Sequence, residues 1–202
     1  DPSAELRAYE LTLNLAYFSS MGELSETDME LDFHVSIYQS GFPVITDNDV
    51  ESSPAVIDLD DDGYLDILFG DFSGNFYKQN QDGLQILFST EGQIWGSPAA
   101  ADLDFDGDIE IVIGSVDKFL YIMNADGSPQ SIVSTDQFLV GTPAIGNLDS
   151  DGDLEIVIGG FSNPGRVFAF NPDGSSVTGF PLEIGEKMKK GAALADIDGD
   201  GI

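Results

Sequence analysis

The sequence predicts an all-β fold, a β-propeller fragment of about three and a half four-stranded blades preceded by a β-hairpin leader. Three observations predict this architecture. One motif occurs four times at intervals of roughly 45 residues, and each copy contains strand-like apolar segments separated by Asp and Gly. No long segment has the 3.6-residue apolar period of a helix.

The repeat consists of three complete copies and one incomplete copy. Each complete copy begins with Ser-Pro-Ala or Thr-Pro-Ala, continues through an acidic loop and ends on a glycine. A third strand and an Asn-x-Asp-Gly turn into a fourth strand follow, which gives the four short strands of a propeller blade. The complete copies occupy residues 53–70, 97–114 and 142–159, and the incomplete copy occupies residues 192–202.

Blade organisation also extends upstream of the first copy. Gly-Phe-Pro-Val at 41–44 is similar to Gly-Phe-Pro-Leu at 179–182, and both lie at the same distance before an acidic loop. Residues 41–46 are therefore predicted to be the outer strand of a blade whose other strands lie elsewhere. Residues 41–202 are assigned to the propeller, as an incomplete ring truncated at its C-terminal end.

The leader, residues 1–40, contains two segments in which apolar residues alternate with polar ones. The segments are YELTLNLAY at 9–17 and MELDFHVSI at 29–37, and the period of two indicates β-strands. They are predicted to pair as a hairpin. The leader is interpreted as the end of a preceding β-sandwich.

The composition excludes several classes of function. The formal net charge is −30 with only 7 Lys and Arg residues, which excludes nucleic acid and anionic membrane surfaces as partners and favours a cation. No apolar segment is long enough for membrane insertion. With no cysteine and a single histidine, the chain has few groups for nucleophilic catalysis or for soft metals, so no enzyme active site is expected here.

The acidic loops have the oxygen pattern of a calcium site. Oxygen side chains at positions one, three and five point inward, glycine at six allows the bend, and a carbonyl at seven and a carboxylate at nine complete the shell. An EF-hand needs a glutamate at position twelve and flanking helices, whereas these loops lie between strands. The predicted ligands are Asp58, Asp60, Asp62, the Tyr64 carbonyl and Asp66 in the first loop; Asp102, Asp104, Asp106, the Asp108 carbonyl and Glu110 in the second; and Asn147, Asp149, Asp151, the Asp153 carbonyl and Glu155 in the third.

The loops are expected to differ in strength. Asn147 carries no charge, so the third loop is expected to be the weakest complete site. Asp196, Asp198 and Asp200 begin a fourth loop that stops before its ninth position. The sequence thus predicts three complete Ca²⁺ sites and a fourth, truncated one.

The motif PAVIDLDDDGYLDILFG and its sister copies resemble the FG-GAP repeats of integrin α-subunit β-propellers, and more closely their bacterial extracellular relatives. The resemblance covers about residues 41–202 and implies a propeller with calcium loops between strands. The Phe-Gly pair that opens the integrin repeat is replaced here by Ser-Pro or Thr-Pro, so integrin-type ligand binding does not follow from the resemblance.

Two hypotheses of function follow. In the first, the chain is a calcium-binding module of a secreted or cell-surface protein that mediates protein or glycan binding in adhesion. In the second, it is an accessory, non-catalytic domain of a larger secreted hydrolase, such as a protease, with its catalytic domain upstream. A spacer that binds only calcium is a third, simpler possibility.

Location and assembly are also predicted. Extracellular calcium loops bind at about 10⁻⁴–10⁻³ M, a range that calcium reaches outside cells, so an extracellular or cell-surface location is expected. An incomplete ring has open blade faces that cannot bury their apolar residues alone. The hypothesis is that two copies pair these faces and form a homo-oligomer.

Overall fold

The computed structural model of the chain describes residues 7–18, 24–35, 42–46, 48–149 and 151–197. These residues form fourteen strands and no helix. Accordingly, the described part of the chain contains no helix with the length and hydrophobicity that a membrane span requires. The chain divides into two compact units, Asp1–Val44 and Ile45–Ile202.

The first unit contains a two-stranded antiparallel sheet of β1 (Arg7–Phe18) and β2 (Leu24–Val35). Its register places Leu11 opposite Leu31 and Leu13 opposite Met29, so the alternating apolar positions of the two strands match. The predicted hairpin leader is confirmed, although β2 begins earlier than the predicted 29–37 and the end of that range lies outside the described residues. The preceding β-sandwich stays a prediction.

The second unit contains three four-stranded antiparallel sheets, each with its strands in sequence order. The first strands of neighbouring sheets contact each other, so the sheets stand side by side with their first strands innermost. The all-β propeller architecture is thereby confirmed. The first sheet contains β3 (Ala55–Ile57), β4 (Asp66–Gly70), β5 (Asn75–Asn80) and β6 (Gly83–Ser89); the second β7 (Ala99–Ala101), β8 (Glu110–Gly114), β9 (Phe119–Met123) and β10 (Pro129–Ser134); the third β11 (Ala144–Gly146), β12 (Glu155–Gly159), β13 (Arg166–Phe170) and β14 (Leu182–Glu183).

The described residues of the similar segments at 41–44 and 179–182 share a cis Phe-Pro bond but differ in strand pairing. Leu182 begins β14, which pairs with β13 through Val167. Residues 42–46, in contrast, belong to no strand. The outer strand predicted over 41–46 is assigned to a blade whose other strands lie elsewhere, so it stays a prediction.

The core lies in two seams, each between neighbouring sheets. The second strands are buried on both faces, which explains their continuous apolar sequences, such as Ile-Val-Ile in β8. Because both faces of a second strand are buried, one face contributes to the seam on one side of its sheet and the other face to the packing on the other side. The seam between the first and second sheets contains Leu59, Leu68, Phe76, Ile94, Ile111, Ile113, Tyr121 and Met123; the seam between the second and third contains Leu103, Val112, Leu120, Ile122, Leu139, Ile156, Ile158, Phe168 and Phe170.

The glycine that ends each second strand is required by the next sheet. A Cβ atom on Gly114 would lie 2.7 Å from Leu139 Cβ and 2.8 Å from Ile158 Cδ1, closer than real Cβ atoms approach other atoms. The Leu139 backbone N–H also donates a hydrogen bond to the Ser115 carbonyl (3.1 Å). The same contact occurs between Gly70 and Ile94 and between Gly159 and Met188.

The segment after β14 packs on the side of the third sheet that faces away from the second sheet, where the next blade would begin. The Met188 N–H donates a hydrogen bond to the Gly160 carbonyl (3.0 Å). Ala192 and Leu194 pack against a buried cluster that contains Val157 and Ala169 of the third sheet. These residues of the incomplete fourth repeat thus contact the third sheet as the start of a further blade.

The glycine contact gives a stability prediction. Gly114→Ala should lower the free energy of unfolding by about 1–3 kcal/mol, the usual cost of inserting a methyl group into a packed interior. Gly146→Ala is the matched control, because its nearest atom would be Leu194 Cδ1 at 3.1 Å, the end of a flexible side chain. Urea unfolding of both variants measures the difference, and equal losses would contradict the proposed role of Gly114.

Candidate metal sites

The three acidic loops connect the first and second strands of the three sheets. Each loop starts just after a first strand of three residues and ends where the second strand begins. The residue at its second position, Leu59 or Leu103 in the first two loops, is buried in a seam. The acids on either side of that leucine are thereby placed at the end of the sheet, where they face the rest of the loop.

The backbone of the first two loops turns twice through the left-handed region. Glycine at the sixth position has a φ of 86° at Gly63, 100° at Gly107 and 107° at Gly152, as the sequence predicted. The fourth position also has positive φ, 55° at Asp61 and 56° at Phe105. Two left-handed residues so close together fold the loop tightly, which brings its carboxylates together.

The carboxylate at position nine closes each loop. One of its oxygens accepts a hydrogen bond from the backbone N–H at position two, so the first residue of the second strand is tied to the start of the loop. In the second and third loops this carboxylate also lies close to the other loop acids. The pairs are Asp66 Oδ2 with Leu59 (3.1 Å), Glu110 Oε2 with Leu103 (2.9 Å), and Glu155 Oε2 with Leu148.

Three carboxylates come together in each loop, with one oxygen from each lying within 4.8 Å of the others. This spacing suits a single cation that binds all three. Oxygen atoms are the ligands that calcium and magnesium prefer. The triads are Asp58, Asp60 and Asp62; Asp102, Asp104 and Glu110; and Asp149, Asp151 and Glu155.

The electrostatics of the second and third loops are unfavourable without a cation. Burial is the main cause that raises the pKa of the Glu110 carboxyl above its usual value, and the charges of Asp104, Asp106 and Asp102 raise it further. Burial likewise raises the pKa of Glu155, with added repulsion from Asp149 and Asp151. Each glutamate therefore ionises at a cost that a bound cation would remove.

Two carboxylate oxygens point to such a cation. Asp102 Oδ1 and Glu155 Oε1 are buried and accept no hydrogen bond within the described residues. A buried carboxylate oxygen without a donor is costly unless a cation lies next to it. The residues of the second and third loops therefore fit a hard cation held by oxygen ligands.

The first loop differs because a lysine reaches it. Lys78 Nζ, on β5, lies 3.5 Å from Asp60 Oδ2 and 3.9 Å from Asp66 Oδ1. The Lys78 side chain is only 12% exposed. In this loop the acid at position nine is outside the triad of acids, whereas Glu110 and Glu155 belong to theirs.

The other predicted ligands do not belong to the three triads of carboxylates. Asp106 lies outside the second triad, and its Oδ1 accepts a hydrogen bond from the Asp108 N–H (2.9 Å). Asn147 Oδ1 accepts a hydrogen bond from the Asp149 N–H (3.2 Å). In the fourth loop Asp196 is exposed, and Asp198 and Asp200 lie outside the described residues. These residues, together with the carbonyls of Tyr64, Asp108 and Asp153, stay predicted ligands.

Sequence reasoning missed Lys78 and the left-handed fourth position. Lys78 follows the first loop by more than ten residues, and only the pairing of β4 with β5 brings it there. An aspartate such as Asp61 tolerates positive φ, but Phe105 gives no such indication. An alignment of β5 with the third strands of the other repeats would have shown a lysine in place of apolar residues.

Comparison with known proteins adds a family and a fold. The model of the FG-GAP-like repeat family matches residues 58–113 and 147–202, together more than half of the chain. The chain is also similar to a chain in the crystal structure of BBS1N in complex with ARL6DN, soaked with lead, with a TM-score of 0.54 and 12% identity. That match covers 75% of this chain and 46% of the other, and it shows the fold alone. No curated protein matches the sequence significantly.

The raised pKa of Glu155 predicts how stability depends on pH in EDTA. The folded protein binds this proton more tightly than the unfolded chain, so the contribution of Glu155 to stability grows as the pH falls from 7 through the raised pKa towards 4.5. Glu155→Gln should therefore melt a few degrees higher at pH 7 in EDTA and depend less on pH. The exposed Glu183→Gln is the control, and a lower melting temperature of Glu155→Gln would contradict the assignment.

Proposed function

The chain belongs to the FG-GAP-like repeat family, and from this premise we propose that it is a calcium-binding β-propeller module. The module would belong to a secreted or cell-surface protein and bind a protein or a glycan. It has no catalytic role of its own, in keeping with the usual character of such repeats. Calcium would hold the loop ends of the sheets, and the opposite end would contact the partner.

The crowded carboxylates of the second loop carry the calcium proposal. Asp102, Asp104 and Glu110 bring their oxygens within 4.8 Å of one another, and Asp102 Oδ1 is buried without a donor. Like charges at such distances repel strongly in a partly buried site. A divalent cation converts this repulsion into attraction, so binding would stabilise the connection between β7 and β8.

Calcium fits this arrangement better than other metals. The loops offer only oxygen ligands, and the chain has no cysteine and one histidine, so zinc and copper lack suitable donors. Magnesium requires near-ideal octahedral geometry and retains several waters, whereas calcium accepts six to eight oxygens in irregular geometry. An irregular loop with carboxylates on successive alternate residues therefore favours calcium.

The proposed location follows from the proposed metal. Calcium loops of extracellular modules bind with dissociation constants of about 10⁻⁴–10⁻³ M, which matches calcium outside cells. The net charge of −30 keeps such a module soluble and repels anionic surfaces. An extracellular or cell-surface protein is therefore the setting in which these loops would be filled.

The proposed partner site is a pocket of about 200 Å³ at the opposite end of the first strands from the acidic loops. It is lined by residues that precede those strands, among them Trp95, Ser97 and Thr142, and by Lys189 and Lys190. Lys189 Nζ lies 5.9 Å from the centroid of the Trp95 ring. Glu51 also lines the pocket, so its charge is mixed. Two lysines beside hydroxyls and an indole would still offer donors to an acidic group of a protein or glycan.

A thermal melt tests the calcium proposal. We expect the melting temperature in excess EDTA to rise on addition of millimolar calcium and to rise much less with magnesium. Calcium at 100 times its dissociation constant adds about 2.7 kcal/mol per site when only the folded state binds it. No rise with calcium would contradict metal binding, and an equal rise with magnesium would contradict the choice of metal.

A matched pair of variants assigns that rise to the loops. Asp104→Asn removes one carboxylate of the second triad and should reduce the calcium-induced rise. Asp82→Asn removes an exposed aspartate from the turn between β5 and β6 and should retain the full rise. The two variants change the net charge equally, so a difference between them cannot come from the overall field.

Binding arrays test the partner site. In calcium, the protein should bind members of an array of acidic glycans or acidic peptides. Lys189→Gln combined with Lys190→Gln should weaken that binding at least tenfold, a loss of about 1.4 kcal/mol. Lys118→Gln, on the turn between β8 and β9, is the control. If the double variant bound as well as the wild type, the pocket would not be the partner site.

A further inference from the structure

The first loop contains a positive charge that the other two loops lack. Lys78 Nζ lies within 4 Å of carboxylate oxygens of both Asp60 and Asp66, and these are the two ion pairs among the described residues. The Asp66 side chain is 3% exposed and that of Lys78 is 12% exposed. The pair of Lys78 with Asp66 is therefore largely shielded from solvent, where ion pairs are screened less than at the surface, whereas the Asp60 side chain is 47% exposed.

Strand register shows that this lysine is specific to the first sheet. Lys78 pairs with Leu68, the second residue after the acid at position nine. The equivalent residues are Ile122, paired with Val112, and Ala169, paired with Val157. Ile122 is 0% exposed and Ala169 1% exposed, so both are core side chains. By strand alternation Lys78 shares the face of Phe76, which belongs to the seam with the second sheet.

The acid at position nine differs in the same loop. It is Asp66 in the first loop but Glu110 and Glu155 in the others. Aspartate is one methylene shorter, and its Oδ1 is the oxygen near Lys78 Nζ, while its Oδ2 accepts the hydrogen bond from Leu59. The longer glutamates instead place an oxygen within the triads of acids. The lysine and the shorter acid thus occur together.

We propose that Lys78 is a built-in counter-ion of the first loop, which lowers the affinity of that loop for calcium and stabilises it when calcium is absent. The inference rests on the proposed function, that the loops bind calcium. The ammonium group repels a cation that enters the loop. The cation must also compete with Lys78 for the oxygens of Asp60 and Asp66. The first loop, rather than the third with its uncharged Asn147, is then the weakest of the three.

The first loop can be observed by itself with terbium. Tyr64 occupies its seventh position, and a tyrosine beside bound Tb³⁺ transfers excitation energy to the ion, whereas the second and third loops have Asp108 and Asp153 there. Calcium added to the Tb³⁺-loaded protein displaces Tb³⁺ and gives the calcium affinity of the first loop. Loss of the signal in Tyr64→Phe confirms that it reports the first loop.

Lys78→Met tests the proposal by removing the charge while keeping an aliphatic side chain. We expect its first loop to bind calcium at least about tenfold more tightly than the wild type, since the removed charge lies near the loop oxygens. Its melting temperature in EDTA should fall, because the carboxylates lose their counter-ion. Lys187→Met, at an exposed lysine after β14 that lies outside the proposed partner pocket, makes the same change in net charge and should leave the Tyr64-sensitised titration unchanged.

The possible results separate this inference from the function on which it rests. If calorimetry detects no calcium binding to the wild type, the proposed function fails. If calcium binds but the first loop has the same affinity in the wild type and Lys78→Met, the function stands and the role of Lys78 is overturned. Lys78→Gln, which keeps a polar side chain of similar length, decides the question if Lys78→Met unfolds.

Discussion

The hydrogen bond that closes each acidic loop is the constraint on which the rest of the structure depends. The carboxylate at position nine accepts the backbone N–H at position two, so a strand of three residues and the next strand are held at one fixed separation. This carboxylate lies beside the other loop acids. Burial and the charges of those acids raise the pKa of Glu110, although the hydrogen bond from Leu103 itself lowers it. In the second and third loops, local folding thus creates an electrostatic cost that a cation would relieve.

Packing between the sheets depends on the same short strands. The first strands contact their counterparts in the neighbouring sheets, and the second and third strands together supply most of the buried residues of the seams. Glycines such as Gly114 at the ends of the second strands let Leu139 of the following connection approach within van der Waals contact. The apolar residues are buried in the seams, and many of the acids lie in the loops at the ends of the sheets. A buried apolar interior therefore coexists with a net charge of −30.

The sequence was sufficient to predict the repeat, the strand order and the loop positions, because spacing within one copy determines them. It was sufficient for most of the triads as well, since alternate acids before a glycine meet in one tight turn. It was not sufficient for Lys78, whose place depends on the register between β4 and β5. Predictable features here are local in sequence, and the missed ones depend on pairing.

The leucine at the second position of each loop has a consequence for mechanics. Leu59 and Leu103 each belong to a seam, while the acids on either side of them belong to the loop. One short segment of main chain therefore carries both a core side chain and the carboxylates next to it. A movement of the loop acids would also move the leucine within its seam. The conformation of each loop is therefore coupled to the packing between two sheets.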